Sequence, residues 1–141
     1  FRGKGVMIGH VGDSRVYRLR GEQLTQLTAD HSLLQELVAG GFMTADEAAH
    51  AVNKNVITRA LGIEPTVEVE VHHHEVQPGD IYLLCSDGLN DMVTDNSIAK
   101  LLLDNRDNLD MAADALVAEA NRCGGNDNIS VILVRVVALK E

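Results

Sequence analysis

The sequence has no tryptophan, and aromatic residues make up only 3% of it. A core built from such a chain has to be aliphatic. Cysteine is scarce too: Cys85 and Cys123 stand far apart, with no C-x-x-C spacing. That excludes a dithiol redox motif and a zinc site made from a spaced Cys/His set. Both thiols lie in apolar stretches and are expected to be reduced, buried and non-catalytic, as in a cytosolic (cytoplasmic) protein. Basic residues are few, 12 Lys and Arg against 21 Asp and Glu, which leaves a net charge of −9. Such a chain does not suit a generic nucleic-acid or anionic-membrane binder, since both require positive charge. It does suit an acidic site for divalent cations. No stretch approaches the roughly 20 apolar residues of a membrane span, and no secretory leader pattern is present. There is no G-x-x-x-x-G-K phosphate loop, so Gly40-Gly41 and Gly124-Gly125 are read as helix stops. An initiator Met is also lacking: F-R-G-K-G runs straight into a strand pattern. The 141 residues (1–141) are therefore expected to be part of something longer.

What is present is ordinary in bulk, 45% hydrophobic and 23% charged, enough for one globular domain with a real core. Residues 6–11, V-M-I-G-H-V, read as a buried strand. After the turn Gly12-Asp13-Ser14, the R-V-Y-R-L-R of residues 15–20 alternates apolar and basic side chains. Gly21-Glu22 turns the chain back into a third strand over 24–27, giving an antiparallel meander. The period then becomes helical, with Leu33, Leu34, Leu37 and Val38 on one face up to Gly40-Gly41. Thr44 and Glu47 form a capping box that opens a second helix through about Ala51. Residues 32 to about 58 thus interrupt a sheet-forming sequence and are read as a helical flap over a site. Residues 67–76, V-E-V-E-V-H-H-H-E-V, alternate strictly and place Val67, Val69 and Val71 on one buried face. A turn at 77–80 leads to I-Y-L-L-C, residues 81–85, a strand apolar enough to be buried on both faces. Thr94 caps a helix with Ile98, Leu101 and Leu102 inward. Residues 107–122 form another, striped by Leu109, Ala112, Ala113, Leu116, Val117 and Ala120. A long closing strand spans 129–139. Without repeats, low-complexity tracts or linkers, the pattern is α+β with largely antiparallel strands, the two late helices covering one sheet face.

Three aspartates share a context in which an apolar strand adjoins a Gly-containing polar turn: Asp13 in V-G-D-S-R, Asp87 in C-S-D-G-L and Asp127 in G-G-N-D-N. An acid at the end of a buried strand is poorly solvated unless something pairs with it. Hard divalent cations prefer such carboxylate oxygens. Spacing alone leaves two readings open, a shared metal site or three unrelated turn caps.

Five segments in order resemble the motifs of the metal-dependent Ser/Thr protein phosphatases of the 2C type, bacterial branch. They are V-G-D-S-R (11–15), L-T-A-D-H-S (27–32), V-I-T-R-A-L-G (56–62), L-C-S-D-G-L-N-D (84–91) and G-G-N-D-N-I-S-V (124–131). Each is weak alone; the ordered set covers nearly the whole chain. The resemblance implies part of a four-layer αββα sandwich of antiparallel sheets, with a binuclear Mn²⁺ or Mg²⁺ centre at one edge. It implies that Asp87 and Asp127 ligate one of the paired ions, and that Asp13 and Asp87 border a third, weaker ion. The reaction it implies is attack on phosphoserine or phosphothreonine by a hydroxide bridging the ions, with no side-chain nucleophile. Phosphoprotein substrates and an opposing Ser/Thr kinase come with it. The family also carries an earlier segment that supplies a bridging aspartate, a D-G-x-G-G stretch and a phosphate-gripping arginine. No D-G-x-G-G occurs in these residues, so the isolated chain is expected to be a partial catalytic domain with impaired activity. Exposed sheet edges or a strand-exchanged dimer are expected with it. The alternative is a phosphatase-like module that binds without hydrolysing.

Other candidates weigh less. His72-His73-His74 are read as solvated strand residues rather than ligands. His31 either orients the flap or is a hydrogen-bonded turn residue. Arg59 suits phosphate geometry but is read first as a structural ion pair, and Arg15 as a partner for carboxylates. Asn128 is expected to hold the Asp127 loop.

Overall fold

The four residues between the first two strands decide the layout. In the computed structural model, described for residues 1–49 and 56–139, β1 (Gly5–His10) and β2 (Arg15–Arg20) belong to different sheets. β1 pairs antiparallel with β4 (Glu70–Glu75), from Gly5↔Glu75 to His10↔Glu70. β2 pairs with β3 (Gln23–Gln26) on one side and with β5 (Ile81–Cys85) on the other. β6 (Val131–Arg135) closes the order β3-β2-β5-β6. The meander expected from the sequence is thus only a β2–β3 hairpin. The chain leaves β1 through Gly12, whose φ of 107° is open to glycine and strained for other residues. That conformation redirects it from one sheet to the other.

The four-stranded sheet is covered by helices on one side and in part by β1 on the other. Tyr17, Leu19, Ile81, Leu83 and Cys85 face α4 (Asp95–Asp104) and α5 (Leu109–Arg122), where Ile98, Leu102, Ala112, Leu116 and Ala120 are fully buried. Positions 112, 116 and 120 lie four apart, so they form one stripe along α5. Thr94 and Asn108 cap the two helices by accepting from the backbone N–H of Ser97 and Met111, which satisfies donors a helix start leaves unpaired. The opposite face meets β1 and its surroundings through Val6, Ile8, Val76, Tyr82 and Val136, with Val16, Leu27 and Val134 beside them. The aliphatic core therefore includes two of the few aromatics, Tyr17 and Tyr82. Helices, four-stranded sheet and two-stranded sheet make three successive layers of an α+β sandwich. Among the described residues, no helix is long and apolar enough to cross a membrane.

The insertion between β3 and β4 contains α1 (Leu33–Ala39) and α2 (Ala45–Ala49). The capping box forms as expected: Thr44 Oγ1 accepts from the Glu47 N–H at 3.1 Å and donates to the Glu47 carboxylate at 3.2 Å. Its expected continuation through Ala51 lies outside the described residues. The insertion starts and ends at one base, the antiparallel bridge Ser32↔Ile57, reinforced by Thr58 N–H donating to the His31 carbonyl at 2.8 Å.

Other expectations are overturned. The valine face of β4 points outward: Val69 and Val71 are about half exposed, while Glu70, His72 and His74 turn inward and are half-buried. The register explains it, because His10, Ile8 and Val6 on the inner face of β1 lie opposite those three residues. The histidine tract is accordingly not simply solvated. β5 is not buried on both faces throughout, since Leu84 is exposed in a cross-strand row with Val16 and Ile132. The two-stranded sheet is too narrow to cover that row. Cys123 is exposed: it sits past the end of α5, beside Glu119 and Arg122 rather than apolar groups. Cys85 is buried as expected, and burial pushes its thiol up to about 12.

Candidate metal centre

The last rung between β2 and β5 joins Arg15 to Cys85. Two residues beyond this rung, past the strands themselves, stand Asp13 and Asp87, whose carboxyls meet. Asp87 opens the short α3 (Asp87–Asn90) immediately after β5, and Asp13 lies on the turn out of Gly12. Burial, and then the adjoining Asp87 carboxylate, push the Asp13 carboxyl up to about 6. Two carboxylates in contact, half-buried, repel each other unless a cation or a proton lies between them. The nearest cation is committed elsewhere. Arg15 donates to both Asp30 oxygens at 2.9 and 2.7 Å and to the Tyr17 hydroxyl at 2.8 Å, the carboxylate-partner role expected of it. That hydroxyl in turn donates to Asp95 at 2.9 Å. Among the described residues no Lys or Arg pairs with Asp13 or Asp87. This donor set, two uncompensated carboxylates on rigid strand ends, fits a hard divalent cation.

Asp127 stands on an exposed loop tied to the same turn. Ser86 Oγ donates to the Asn128 carbonyl at 3.2 Å and accepts from the Ser130 N–H at 3.0 Å, and the Ser86 N–H donates to the Ser130 carbonyl at 3.0 Å. Gly88 lets this happen, because a Cβ there would overlap the Asn128 carbonyl oxygen. Asn128 holds the loop through its backbone, and its N–H donates to Asp127 Oδ1 at 2.7 Å. The loop carrying Asp127 is therefore fixed beside Asp87, without closing the three aspartates into one tight cluster.

The compact group of donors is a different one. His10, His31 and Glu70 bring ligand-type atoms within 4.8 Å of one another. Sequence reasoning weighed His31 but missed His10 and Glu70; only the β1–β4 register, His10↔Glu70, brings those two together. His31 Nδ1 accepts the Gly12 N–H at 3.0 Å, and its Nε2 lies 2.7 Å from Glu70 Oε2. A nitrogen that accepts from an N–H carries no proton, so the neutral ring keeps its hydrogen on Nε2 and donates it to Glu70. That tautomer leaves Nε2 no lone pair for a metal. Arg59 Nη1, 3.4 Å from the same nitrogen, makes a cation there less favourable still. Arg59 Nη2 also lies 3.9 Å from Glu68, in keeping with the ion-pair reading. The His31 contact holds the Glu70 carboxyl below its ordinary range, and burial lowers His10.

The Listeria monocytogenes "Serine/threonine phosphatase stp" is 44% identical over 129 residues, which cover 92% of this chain and 51% of that protein. The crystal structure of the Mycobacterium tuberculosis serine/threonine phosphatase PstP/Ppp superimposes with a TM-score of 0.92 at 38% identity, covering 98% of this chain and 57% of that one. A structure of the PstP catalytic domain in complex with two manganese ions matches at 41% identity and a TM-score of 0.84, covering 98% of this chain and 56% of that one. The chain spans about half the length of the curated relatives it matches. The sandwich and these likenesses together define the class of 2C-type metal-dependent Ser/Thr phosphatases. Within it, the family model described as Stage II sporulation protein E (SpoIIE) matches residues 16–137, and the chain belongs to that family.

Proposed function

We propose that the whole protein hydrolyses phosphoserine and phosphothreonine in proteins, using Mn²⁺ or Mg²⁺ held in part by Asp87 and Asp127, with Asp13 and Asp87 bordering a further ion. The observation that carries the reading is the uncompensated Asp13–Asp87 pair at the end of the β2–β5 ladder. When bound, paired ions supply an activated water and neutralise charge on the transferring phosphoryl group. The chain's own part is to hold carboxylates rigidly. β5 and α3 fix Asp87, and the Ser86–Asn128 bond fixes the Asp127 loop. Cys85, buried with its thiol raised to about 12, takes no part, and the reaction uses no side-chain nucleophile. The partners are phosphoproteins and the kinase that phosphorylates them, in the cytoplasm.

On this reading the 141 residues alone turn over weakly, because the ligands that bridge the ions lie in no motif they contain. The edge of β1, free among the described residues, and the exposed Leu84 and Ile132 favour strand exchange between two such chains. The three aspartates do not close into one tight cluster, which supports a second reading, a phosphatase-like module that binds phosphoproteins without hydrolysis. Mn²⁺-dependent hydrolysis of p-nitrophenyl phosphate and of a phosphothreonine peptide separates the two. The intact protein should turn over with metal and stop in EDTA, and Asp87→Ala should abolish activity, a loss on the order of 10³-fold or more. An inactive intact protein that still binds the phosphopeptide favours the second reading; unchanged turnover in Asp87→Ala removes Asp87 from the centre. Robust turnover by the 141 residues alone would refute their impairment.

A further inference from the structure

We infer that His31 and Glu70 are positioning residues for Asp13: a carboxylate–imidazole brace that fixes the turn from which Asp13 reaches the cation site. The inference rests on the reading of Asp13 as a metal-site carboxylate.

His31 holds Gly12 at two points. Its ring nitrogen Nδ1 accepts the Gly12 N–H at 3.0 Å, and its own backbone N–H donates to the Gly12 carbonyl at 2.8 Å. Gly12 immediately precedes Asp13, is buried, and has the φ of 107° that sends the chain between sheets. A backbone in that conformation is free to move unless something outside it defines it. Both peptide groups of Gly12 are defined by one residue, nineteen positions away in the sequence. The grip depends on Nδ1 staying unprotonated. Glu70 sets the tautomer that leaves the Nδ1 lone pair free, by accepting the Nε2 hydrogen at 2.7 Å. The assembly is buried around His31, which is 6% exposed, and the His10 ring lies tilted against it with centroids 4.6 Å apart. A lone histidine needing only a solvated turn would require neither the carboxylate nor the second ring. Partners behind a metal ligand commonly set affinity by 10- to 100-fold; acting through one intervening residue, this brace belongs at the low end.

The test is Mn²⁺ titration calorimetry on the intact protein, which reads binding without turnover. His31→Ala should weaken the weakest Mn²⁺ site about tenfold. In an Asp13→Asn background the same change should have no further effect, since nothing remains to be positioned. Two near-isosteres separate positioning from mere structure. Asn at position 31 places a carbonyl oxygen near the Nδ1 position and can still accept the Gly12 N–H, whereas Gln reaches the Nε2 position and keeps only the Glu70 bond. His31→Asn should therefore retain more affinity than His31→Gln, and Glu70→Gln should weaken the site by a few-fold in the same direction. Should His31→Ala fail to fold, the Asn, Gln and Glu70 variants decide alone. Affinity unchanged in His31→Gln, or lost equally with and without Asp13, overturns the brace. If Asp13→Asn itself leaves Mn²⁺ binding intact, the underlying metal reading of Asp13 falls, and the brace falls with it.

Discussion

The two sheets are made from similar strands but stand in different situations. The four-stranded sheet has helices on one face and β1 with its neighbours on the other, and its core residues Tyr17, Leu83, Leu102 and Leu116 are shielded from solvent. The two-stranded sheet has one inward face, most of it polar, and an outer face showing Met7 and Val71. A pair of strands is rarely stable by itself, so β1–β4 owes its place to the larger sheet beneath it. The difference teaches where each job is done. The covered sheet supplies stability and carries Asp87 on its end. The thin sheet supplies Glu70, which reaches the Asp13 turn through His31.

The largest effect expected from this asymmetry is in the covered core. Leu116 is fully buried between α5 and the sheet, and Leu116→Ala should cost about 2–5 kcal/mol by urea unfolding of the intact protein. A loss under 1 kcal/mol would mean that the helical layer does not carry the fold.

A smaller effect belongs where the two sheets are tied. Asp80, before β5, is buried and accepts from Arg20 Nε at 2.9 Å, from Arg20 Nη2 at 2.8 Å and from the Gln77 N–H at 2.8 Å. Arg20 Nη2 also donates to the Glu75 carbonyl of β4 at 3.1 Å, so this one side chain spans both sheets. Burial pushes the Asp80 carboxyl up, but the Arg20 and Gln77 bonds outweigh it and the net direction is down. A carboxyl lowered in the folded state contributes stability above its unfolded value, near 4, and loses it as pH falls through the lower folded value. Asp80→Asn should cost about 2 kcal/mol at neutral pH. The gap from the unmutated protein should close below about pH 4 in thermal melts. A gap that stays constant down to pH 2 would show that charge at Asp80 contributes nothing.

Much of the covered sheet was legible in the sequence. The helical stripe 112–116–120, the cap Thr94, the capping box at Thr44 and the run Ile81–Cys85 are local patterns, and each forms close to where it is expected. The thin sheet was not legible. Alternation in residues 67–76 gives the period of β4 but not which set faces inward, and the valines were the natural choice. The outcome turned on the β1 register, a non-local fact that sets Glu70 against His10 and His31. The aspartates fall between these cases. Their strand-end context marked them as candidates, while their juxtaposition needed the β2–β5 pairing, from which the Asp13–Asp87 contact follows. Cys123 misled because it sits past the end of α5, where Glu119 and Arg122 rather than apolar groups lie beside it.

The smallest effect is the sharpest test of the contrast between sheets. Val71 is 51% exposed on the bare face of β4. In the 141-residue chain Val71→Thr keeps the β-branched shape and exchanges a methyl for a hydroxyl that water can reach. Its cost should stay within about 0.5 kcal/mol, as for surface substitutions generally. If the face is bare only because part of the protein is missing from these residues, the intact protein buries that methyl, and the same change strands a hydroxyl without a partner. The cost should then rise to about 1–3 kcal/mol. Parallel denaturant titrations of the two forms measure the difference directly. Equal, small costs in both would mean that the outer face of β4 is solvated in the intact protein too, and that the two sheets differ in cover by design rather than by what is absent from the chain.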